Sequence, residues 1–237
     1  MIGRARGSGV VGIVVVAEGI ASADAARALC AGRTGLWPTA GIHPHRASEF
    51  DASSVGRLEQ LTAEADVVAV GETGLDYHYD HSPRDRQREA FAWHLARSAQ
   101  TGKPVIVHAR EADEDAAKLI AAAPAGTTGV LHSFSSGAEL LEAGLARGFC
   151  VSFSGMVTFK SWTQQDAVRR VPDEQLLAET DAPFLAPVPM RGKRNEPAFV
   201  AHTVAKLAEI RGTTVEQMQA LTGANARRLF HLNASGL

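Results

Sequence analysis

The 237-residue sequence has few of the features that mark several protein classes. Its only cysteines are Cys30 and Cys150, which excludes a disulfide framework and a Cys-rich zinc module. The formal net charge is −2, which excludes a broadly basic nucleic-acid-binding surface. No apolar run approaches the roughly 18 residues needed to span a bilayer. With 45% hydrophobic and 21% charged residues, the composition is that of an ordinary globular protein.

The start of the chain imitates a signal peptide. Arg4 and Arg6 precede an apolar run at 10–17, and small residues follow at 21–23. The run is short, rich in valine and soon followed by Glu18, so we interpret it as a buried strand. The expected compartment is the cytoplasm.

Short β-branched runs alternate with helical stretches along the whole chain. Several runs are almost continuously apolar, which is typical of parallel strands buried on both faces. No linker interrupts the alternation, so one domain over residues 1–237 is expected. The predicted strands are 12–17, 37–41, 67–71, 104–108, 129–132, 149–153 and 175–179. The predicted helices are 22–31, 53–65, 84–100, 113–122, 137–147, 164–170, 197–211, 214–221 and 223–232.

This alternation permits a doubly wound sheet or a closed barrel. No Gly-x-Gly-x-x-Gly or P-loop is present, which argues against a nucleotide-binding sheet. A Schiff-base aldolase needs a lysine at the carboxyl end of a strand, where neither Lys103 nor Lys160 is placed. A serine hydrolase elbow, Gly-x-Ser-x-Gly, is also absent.

Polar side chains follow four of the predicted strands: Glu72, His108, His132 and Asp181. In a barrel such positions converge on the face that carries active sites. Two carboxylates and two imidazoles suit Zn²⁺, Mn²⁺ or Fe²⁺, and a mostly oxygen-lined version suits Mg²⁺. Any one of them alone is better explained as a hydrogen-bonded residue at a strand end. Four at four strand ends predict a metal site.

Three further residues accompany this set. His43 and His45 follow the second predicted strand, as additional ligands, groups that support a ligand, or phosphate contacts. Glu179 lies two residues before Asp181, and strand periodicity places both on one face. Glu179 is therefore predicted to orient a ligand.

Cations gather after the last predicted strand, where barrels often bind phosphate. They are Arg191, Lys193 and Arg194, and Arg110 adds another charge just past His108. A solvated loop explains one or two of these charges, whereas their concentration favours an anionic substrate. Tyr77 and Tyr79 suit either stacking on bases or packing within their loop.

Seven segments together resemble the TatD family of metal-dependent hydrolases, among the amidohydrolase-like barrels. They occur in family order over nearly the whole chain, and jointly they are very specific. The segments are Gly-Ile-His-Pro-His at 41–45, Gly-Glu-Thr-Gly-Leu-Asp-Tyr at 71–77, Val-His-Ala-Arg at 107–110, Leu-His-Ser-Phe at 131–134, Phe-Ser-Gly at 153–155, Glu-Thr-Asp-Ala-Pro at 179–183 and Arg-Gly-Lys-Arg-Asn-Glu-Pro at 191–197.

The resemblance implies a TIM-like (β/α) barrel that hydrolyses phosphodiester bonds in DNA, as a DNase or 3′–5′ exonuclease. It also implies up to two divalent ions, Mg, Mn or Zn. By motif match, Glu72 would bridge them, His108 and His132 would complete one site, and Asp181 would serve the other. Asp181 is the best candidate for taking the proton of the attacking water. A monomer without membrane contact is expected.

The sequence departs from the family at its start. Family members open with a strand carrying His-x-His, whereas no histidine precedes His43 here. Seven strands are predicted where a closed barrel needs eight, so the strands at 12–17 and 175–179 should have open edges.

We therefore expect an N-terminally incomplete barrel with one impaired metal site and weak activity. Either the start is misassigned, with about 25 to 30 residues upstream, or the chain is truncated. The alternatives are a metal-dependent hydrolase of another ester or amide, and a non-catalytic remnant.

Overall fold

The apolar runs form a single parallel sheet in a computed structural model that describes residues 1–232. Strand order follows chain order, and each strand pairs with the next. The sheet curls into part of a barrel, so the predicted seven-stranded fold is confirmed. The strands are β1 (Ile13–Val15), β2 (Leu36–Ala40), β3 (Ala69–Asp76), β4 (Val105–Arg110), β5 (Gly129–Leu131), β6 (Cys150–Phe153) and β7 (Leu176–Ala178).

Helices connect the strands and follow the last one. The two helices predicted at the end of the chain are wrong as separate elements. A single helix passes through Gly223, because one glycine weakens a helix without ending it. The helices are α1 (Ile2–Gly7), α2 (Ile20–Cys30), α3 (Ala52–Ala63), α4 (Arg84–Thr101), α5 (Asp113–Ala121), α6 (Ala138–Ala146), α7 (Gln165–Arg170), α8 (Val200–Arg211) and α9 (Val215–Leu229).

Strand alternation divides the core into two layers. In β4, Val105 and Val107 point outward and pack under the helices, while Ile106 points into the curl of the sheet. There it meets inward side chains of the other strands and Phe230, at the end of α9. Cys150 lies in this inner layer, and burial raises the pKa of its thiol to about 11, as expected of a packing cysteine.

The sheet has two open edges among residues 1–232. There β1 pairs only with β2, and β7 pairs only with β6. A cavity of about 490 Å³ lies between these edges. The residues that line it are largely apolar and include Ile13, Val15 and Phe230. Glu72 and Asp181 also line this cavity. The open edges predicted for the first and last strands are therefore present.

Strand β3 is longer than predicted, and this changes where Glu72 lies. Its register against β4 shifts between Val70 and Thr73, so a bulge contains Glu72, and pairing resumes up to Asp76. Gly74 is required there, because its φ is +131° and a Cβ would lie 2.0 Å from the carbonyl oxygen of His108. The predicted strand ended at residue 71, whereas β3 continues through Thr73 and Gly74.

No helix within residues 1–232 combines the length and the apolar character needed to cross a membrane.

His94 connects α4 to the loop after β2. It is fully buried; the backbone N–H of Ile42 donates to its Nε2 (3.1 Å), and its Nδ1 lies 2.6 Å from the carbonyl oxygen of Ala90. Burial lowers the pKa of His94 to about 4. The ring is therefore neutral in the folded protein at neutral pH, with Nδ1 protonated.

We expect His94 to destabilise the protein as the pH falls from about 6.5 to about 4. In this window the unfolded chain binds a proton on His94 that the folded protein does not bind, so unfolding becomes more favourable. Stability should fall by about 3 kcal/mol through this residue. Urea unfolding at pH 7 and pH 4.5 measures it.

The informative variant is His94→Gln, whose side-chain oxygen can accept from Ile42 without titrating. The difference in stability between the two pH values should shrink in this variant. The exposed-site control His231→Gln should behave like the unmodified chain. An unchanged pH difference in His94→Gln would contradict the assignment.

Candidate metal centre

Glu72 lies at the centre of a group of histidines on the carboxyl-end face of the sheet. Its Oε1 is 2.8 Å from Nε2 of His132 and 3.2 Å from Nδ1 of His108. The same oxygen is 3.4 Å from Nε2 of His43, which follows β2. Only 12% of the Glu72 side chain is exposed, so these imidazoles replace most of the water around the carboxylate. One carboxylate on β3 thus contacts a histidine on β4 and the histidines that follow β2 and β5.

The charges of this group depend on one another. Burial alone would raise the pKa of Glu72, but His132 and hydrogen bonds from His108, His132 and His43 hold it well below its usual range. Burial alone would lower the pKa of His132, but Glu72 and Glu179 raise it well above its usual range. Glu72 is therefore ionised, and a protonated His132 balances it. A bound cation would take over this balance and displace the proton.

Glu179 and Asp181 reach the same face from the chain after β7. Oε1 of Glu179 lies 3.1 Å from Nδ1 of His132, which is the contact expected of a residue that orients a ligand. Burial, with Glu179 and Glu72 adding to it and His132 opposing it, raises the pKa of Asp181 to about 7. Three carboxylates are thus crowded into one partly buried place, and a divalent cation would relieve their repulsion.

The donor atoms fit divalent metal. They form two groups, and within each group the donor atoms lie within 4.8 Å of one another. All are imidazole nitrogens or carboxylate oxygens, the mixture that suits Zn²⁺ or Mn²⁺. The groups are His43, Glu72 and His108, and His132, Glu179 and Asp181. His43, predicted as a ligand or a supporting residue, thus lies within a donor group itself.

Asp76 contacts two histidines of this centre, and it was not among the predicted site residues. Its side chain is 1% exposed, and Oδ2 lies 2.9 Å from Nε2 of His45 and 3.0 Å from Nε2 of His108. Oδ1 accepts hydrogen bonds from the backbone N–H groups of His78 and Tyr79. Nε2 of His108 donates to Asp76, so Nδ1 would release its proton and present its lone pair to a metal ion when one binds.

Replacing Asp76 with Asn should lower the affinity for Mn²⁺ or Zn²⁺ about 10- to 100-fold. The amide is a weaker acceptor, so it no longer holds His108 in the Nε2–H tautomer. Titration calorimetry measures the affinity, and ¹⁵N chemical shifts of the histidine ring report the tautomer. The control is Asp80→Asn on the same loop, where the side chain is exposed and pairs with Arg84. Unchanged tautomer and affinity in Asp76→Asn would contradict this role.

The four cations predicted to meet an anionic substrate are all exposed. Within residues 1–232, none of the four has a carboxylate oxygen within 4.0 Å, a property that the exposed Arg6, Arg33, Arg227 and Arg228 share. The guanidinium of Arg110 lies 4.7 Å from the centre of the Tyr79 ring, and that of Arg191 lies 4.0 Å from the Phe159 ring. Arg194 lines the cavity beside Asp181. Lys193 lies on the same exposed loop.

The family model described as TatD related DNase matches residues 1–231. The chain belongs to the TatD family. It is 44% identical over 199 residues to the metal-dependent hydrolase YcfH of Escherichia coli (strain K12), which covers 83% of this chain and 74% of the relative. It is 38% identical over 240 residues to the 3′-5′ ssDNA/RNA exonuclease TatD of Pantoea ananatis, covering 98% and 92%.

A solved TatD homologue, YjjV of Escherichia coli K12, has the same fold. The TM-score is 0.91 at 28% identity, and the match covers 98% of this chain and 90% of that one. The resemblance recognised from the seven motifs is confirmed, and so is the barrel-type fold. Membership of the TatD family makes this chain a metal-dependent hydrolase by family.

Within this TatD fold, the assignment of roles to individual residues stays a prediction. The sequence alone selected Glu72, His108, His132, Glu179 and Asp181, which lie in the two donor groups. It missed Asp76, although alternation from Glu72 through Gly74 would have placed Asp76 on the same face.

Asn195, which is fully buried, was also not among the predicted site residues. Its Nδ2 donates to the carbonyl oxygens of Thr180 and Phe184, and so holds the loop that carries Asp181. It lies within the motif at 191–197, but that motif does not indicate what the Asn195 side chain contacts.

Proposed function

We propose that this TatD-family chain hydrolyses phosphodiester bonds in DNA, as a DNase that removes nucleotides from the 3′ end. The observation that supports this most strongly is the combination of two metal-donor groups with two nearby cations that have no carboxylate partner within residues 1–232. Arg110 lies two residues after His108, and Arg194 lines the same cavity as Asp181. Metal centres activate water for many ester and amide hydrolyses, whereas cations without carboxylate partners favour an anionic substrate. The exonuclease relative supports the same substrate class.

In the proposed reaction, Glu72 and His108 with His43, and His132 with Asp181, would hold divalent metal ions. Such ions acidify water and stabilise charge on the phosphoryl oxygens when bound. The oxygen of water forms a bond to phosphorus, and the bond from phosphorus to the leaving oxygen breaks.

Asp181 takes the proton released by the attacking water. Glu179 holds the ring of His132, and Asp76 holds the ring of His108, so that both imidazoles present a fixed nitrogen. Arg110, Arg191, Lys193 and Arg194 neutralise the phosphate backbone.

The test uses the purified chain and a 5′-labelled single-stranded oligonucleotide with Mn²⁺, Mg²⁺ or Zn²⁺. We expect a ladder that shortens from the 3′ end, disappears with a chelator and returns when metal is added. The double variant Arg191→Ala/Lys193→Ala should raise KM for DNA. A neutral ester tested in parallel should be hydrolysed poorly and should not respond to that variant. Turnover of the neutral ester without cleavage of DNA would overturn the proposal in favour of another ester or amide.

Four accompanying expectations remain predictions: one domain over residues 1–237, a monomer, cytoplasmic location and weak activity of the chain as it stands. Unbroken pairing from β1 to β7 supports the single domain. One cooperative unfolding transition and the mass in solution would test the first two.

A further inference from the structure

Within residues 1–232, each exposed aromatic residue follows a carboxylate of the candidate metal centre by three positions. The sequence has nine Phe, three Trp and two Tyr, all within residues 1–232. In this described part of the chain only two of them are exposed, Tyr79 at 51% and Phe184 at 61%. An exposed aromatic ring loses the favourable burial that drives folding, so two at one site point to a ligand.

Tyr79 is held beside the first donor group. Its ring stacks on His81, with ring centres 5.6 Å apart and an angle of 11°, and the guanidinium of Arg110 lies 4.7 Å from its centre. Its ring centre is 5.5 Å from that of His45. His45 in turn is hydrogen-bonded to Asp76, the carboxylate that also contacts His108 of the donor group. The ring is therefore positioned by its neighbours while half of its surface faces solvent.

Tyr77 is different, although it lies only two residues away. Its hydroxyl donates to Asp115 (2.6 Å), and the guanidinium of Arg84 lies 4.2 Å from its ring centre. An arginine also lies over the ring of Tyr79, so what separates the two tyrosines is exposure: Tyr77 is partly buried, whereas 51% of Tyr79 is exposed. Tyr79 is therefore the better candidate for stacking on a base. Tyr77 instead fixes the conformation of its loop through its contacts with Asp115 and Arg84.

Phe184 lies three residues after Asp181, on the segment that follows β7. Its backbone is fixed: its N–H donates to the carbonyl oxygen of Asp181 (2.9 Å), and its own carbonyl oxygen accepts from the buried Asn195. Its ring nevertheless extends into solvent. Tyr79 and Phe184 are thus both anchored and exposed: Tyr79 packs against His45, and the Phe184 backbone is hydrogen-bonded to that of Asp181.

We propose that Tyr79 and Phe184 stack on unpaired nucleobases of the strand that is cleaved. This inference rests on the proposed nuclease function and adds the two side chains that contact the bases, whatever their sequence. Every base has a π-face, so stacking tolerates all sequences. Bases in a duplex are already stacked on one another and offer no free face to a side chain. Arg110 adds a cation beside Tyr79, and such a pair suits a base attached to a phosphate.

The test measures binding apart from cleavage, with a phosphorothioate oligonucleotide in Ca²⁺. Tyr79→Ala and Phe184→Ala should each weaken binding of single-stranded DNA about 5- to 100-fold. Binding of an oligonucleotide with abasic sites near its 3′ end should change less than twofold (an estimate from the loss of the stacking contribution). In the unmodified chain, 2-aminopurine at these positions should lose fluorescence on binding, and each Ala variant should restore it.

Tyr79→Phe keeps the π-face and should recover most of the affinity. Val215→Ala changes an exposed apolar residue on α9, at the start of that helix, and is the control. In cleavage assays the two Ala variants should raise KM for single strands more than they lower kcat, and should reduce the preference for single strands over duplex.

Equal weakening for natural and abasic oligonucleotides would overturn the stacking role. DNA cleavage that is indifferent to both Ala variants would also overturn it but leave the nuclease function standing. Failure to bind or cleave any oligonucleotide would overturn both.

Discussion

Replacing Glu72 with Gln is expected to reduce hydrolysis about 1000-fold or more and to abolish tight binding of at least one metal ion. Glu72 is the carboxylate within reach of His43, His108 and His132. The amide is nearly the same size but carries no charge, so the change removes the charge that a cation and the histidines share. Several kcal/mol of transition-state stabilisation depend on the bound metal, and each 1.4 kcal/mol is about tenfold in rate.

The measurements are the rate of oligonucleotide cleavage and metal content after dialysis. The matched control is Glu59→Gln, the same change at an exposed position on α3, which should leave both unchanged. Near-normal cleavage by Glu72→Gln at saturating metal would contradict the assignment. Circular dichroism of the variant separates this result from misfolding, because an unpaired buried charge also lowers stability.

Replacing Asp181 with Asn should lower kcat about 100- to 10,000-fold, the usual contribution of a general base. Asn retains an oxygen in the same place but cannot accept the proton of the attacking water. Binding of an uncleavable oligonucleotide in Ca²⁺ should therefore change little, about threefold or less, which separates loss of the base from loss of the substrate site.

Asp166→Asn, at an exposed position on α7, is the control for this second variant. A rise in KM with kcat unchanged would show that Asp181 contributes to binding and not to proton transfer. Equal loss of metal and activity, as in Glu72→Gln, would make Asp181 a ligand without a separate role as base.

Some of the site follows from local sequence because residues just after a parallel strand lie at the carboxyl-end face of the sheet. Glu179 and Asp181 both follow β7, which ends at Ala178, and the expected contact between Glu179 and His132 is present at 3.1 Å. His108 and His132 end apolar runs in β4 and β5, so their arrival on one face follows from a parallel sheet. Asp76 was hidden because the bulge at Glu72 and the pair Thr73-Gly74 interrupt the pattern that marks a strand.

Other features depend on residues far apart in the chain. Asn195 hydrogen-bonds to the loop after β7 across 11 and 15 residues, and nothing in its own neighbourhood predicts that. The exposure of Tyr79 and Phe184 also needed coordinates, because an aromatic residue in a loop packs inward as readily as it points outward.

The alternation of strands and helices, the seven-stranded parallel sheet and the TatD family could all be predicted from the sequence, as could most residues that lie in the two candidate donor groups. These depend on patterns within single segments and on the rule that parallel strands end on one face. Coordinates were needed to see that Asp76 contacts both His45 and His108 and that the bulge in β3 places Glu72 among three histidines. They were also needed to see that the four exposed cations have no carboxylate oxygen within 4.0 Å among residues 1–232. Distances between residues far apart in sequence depend on how the whole sheet curls, and no local pattern encodes that curvature.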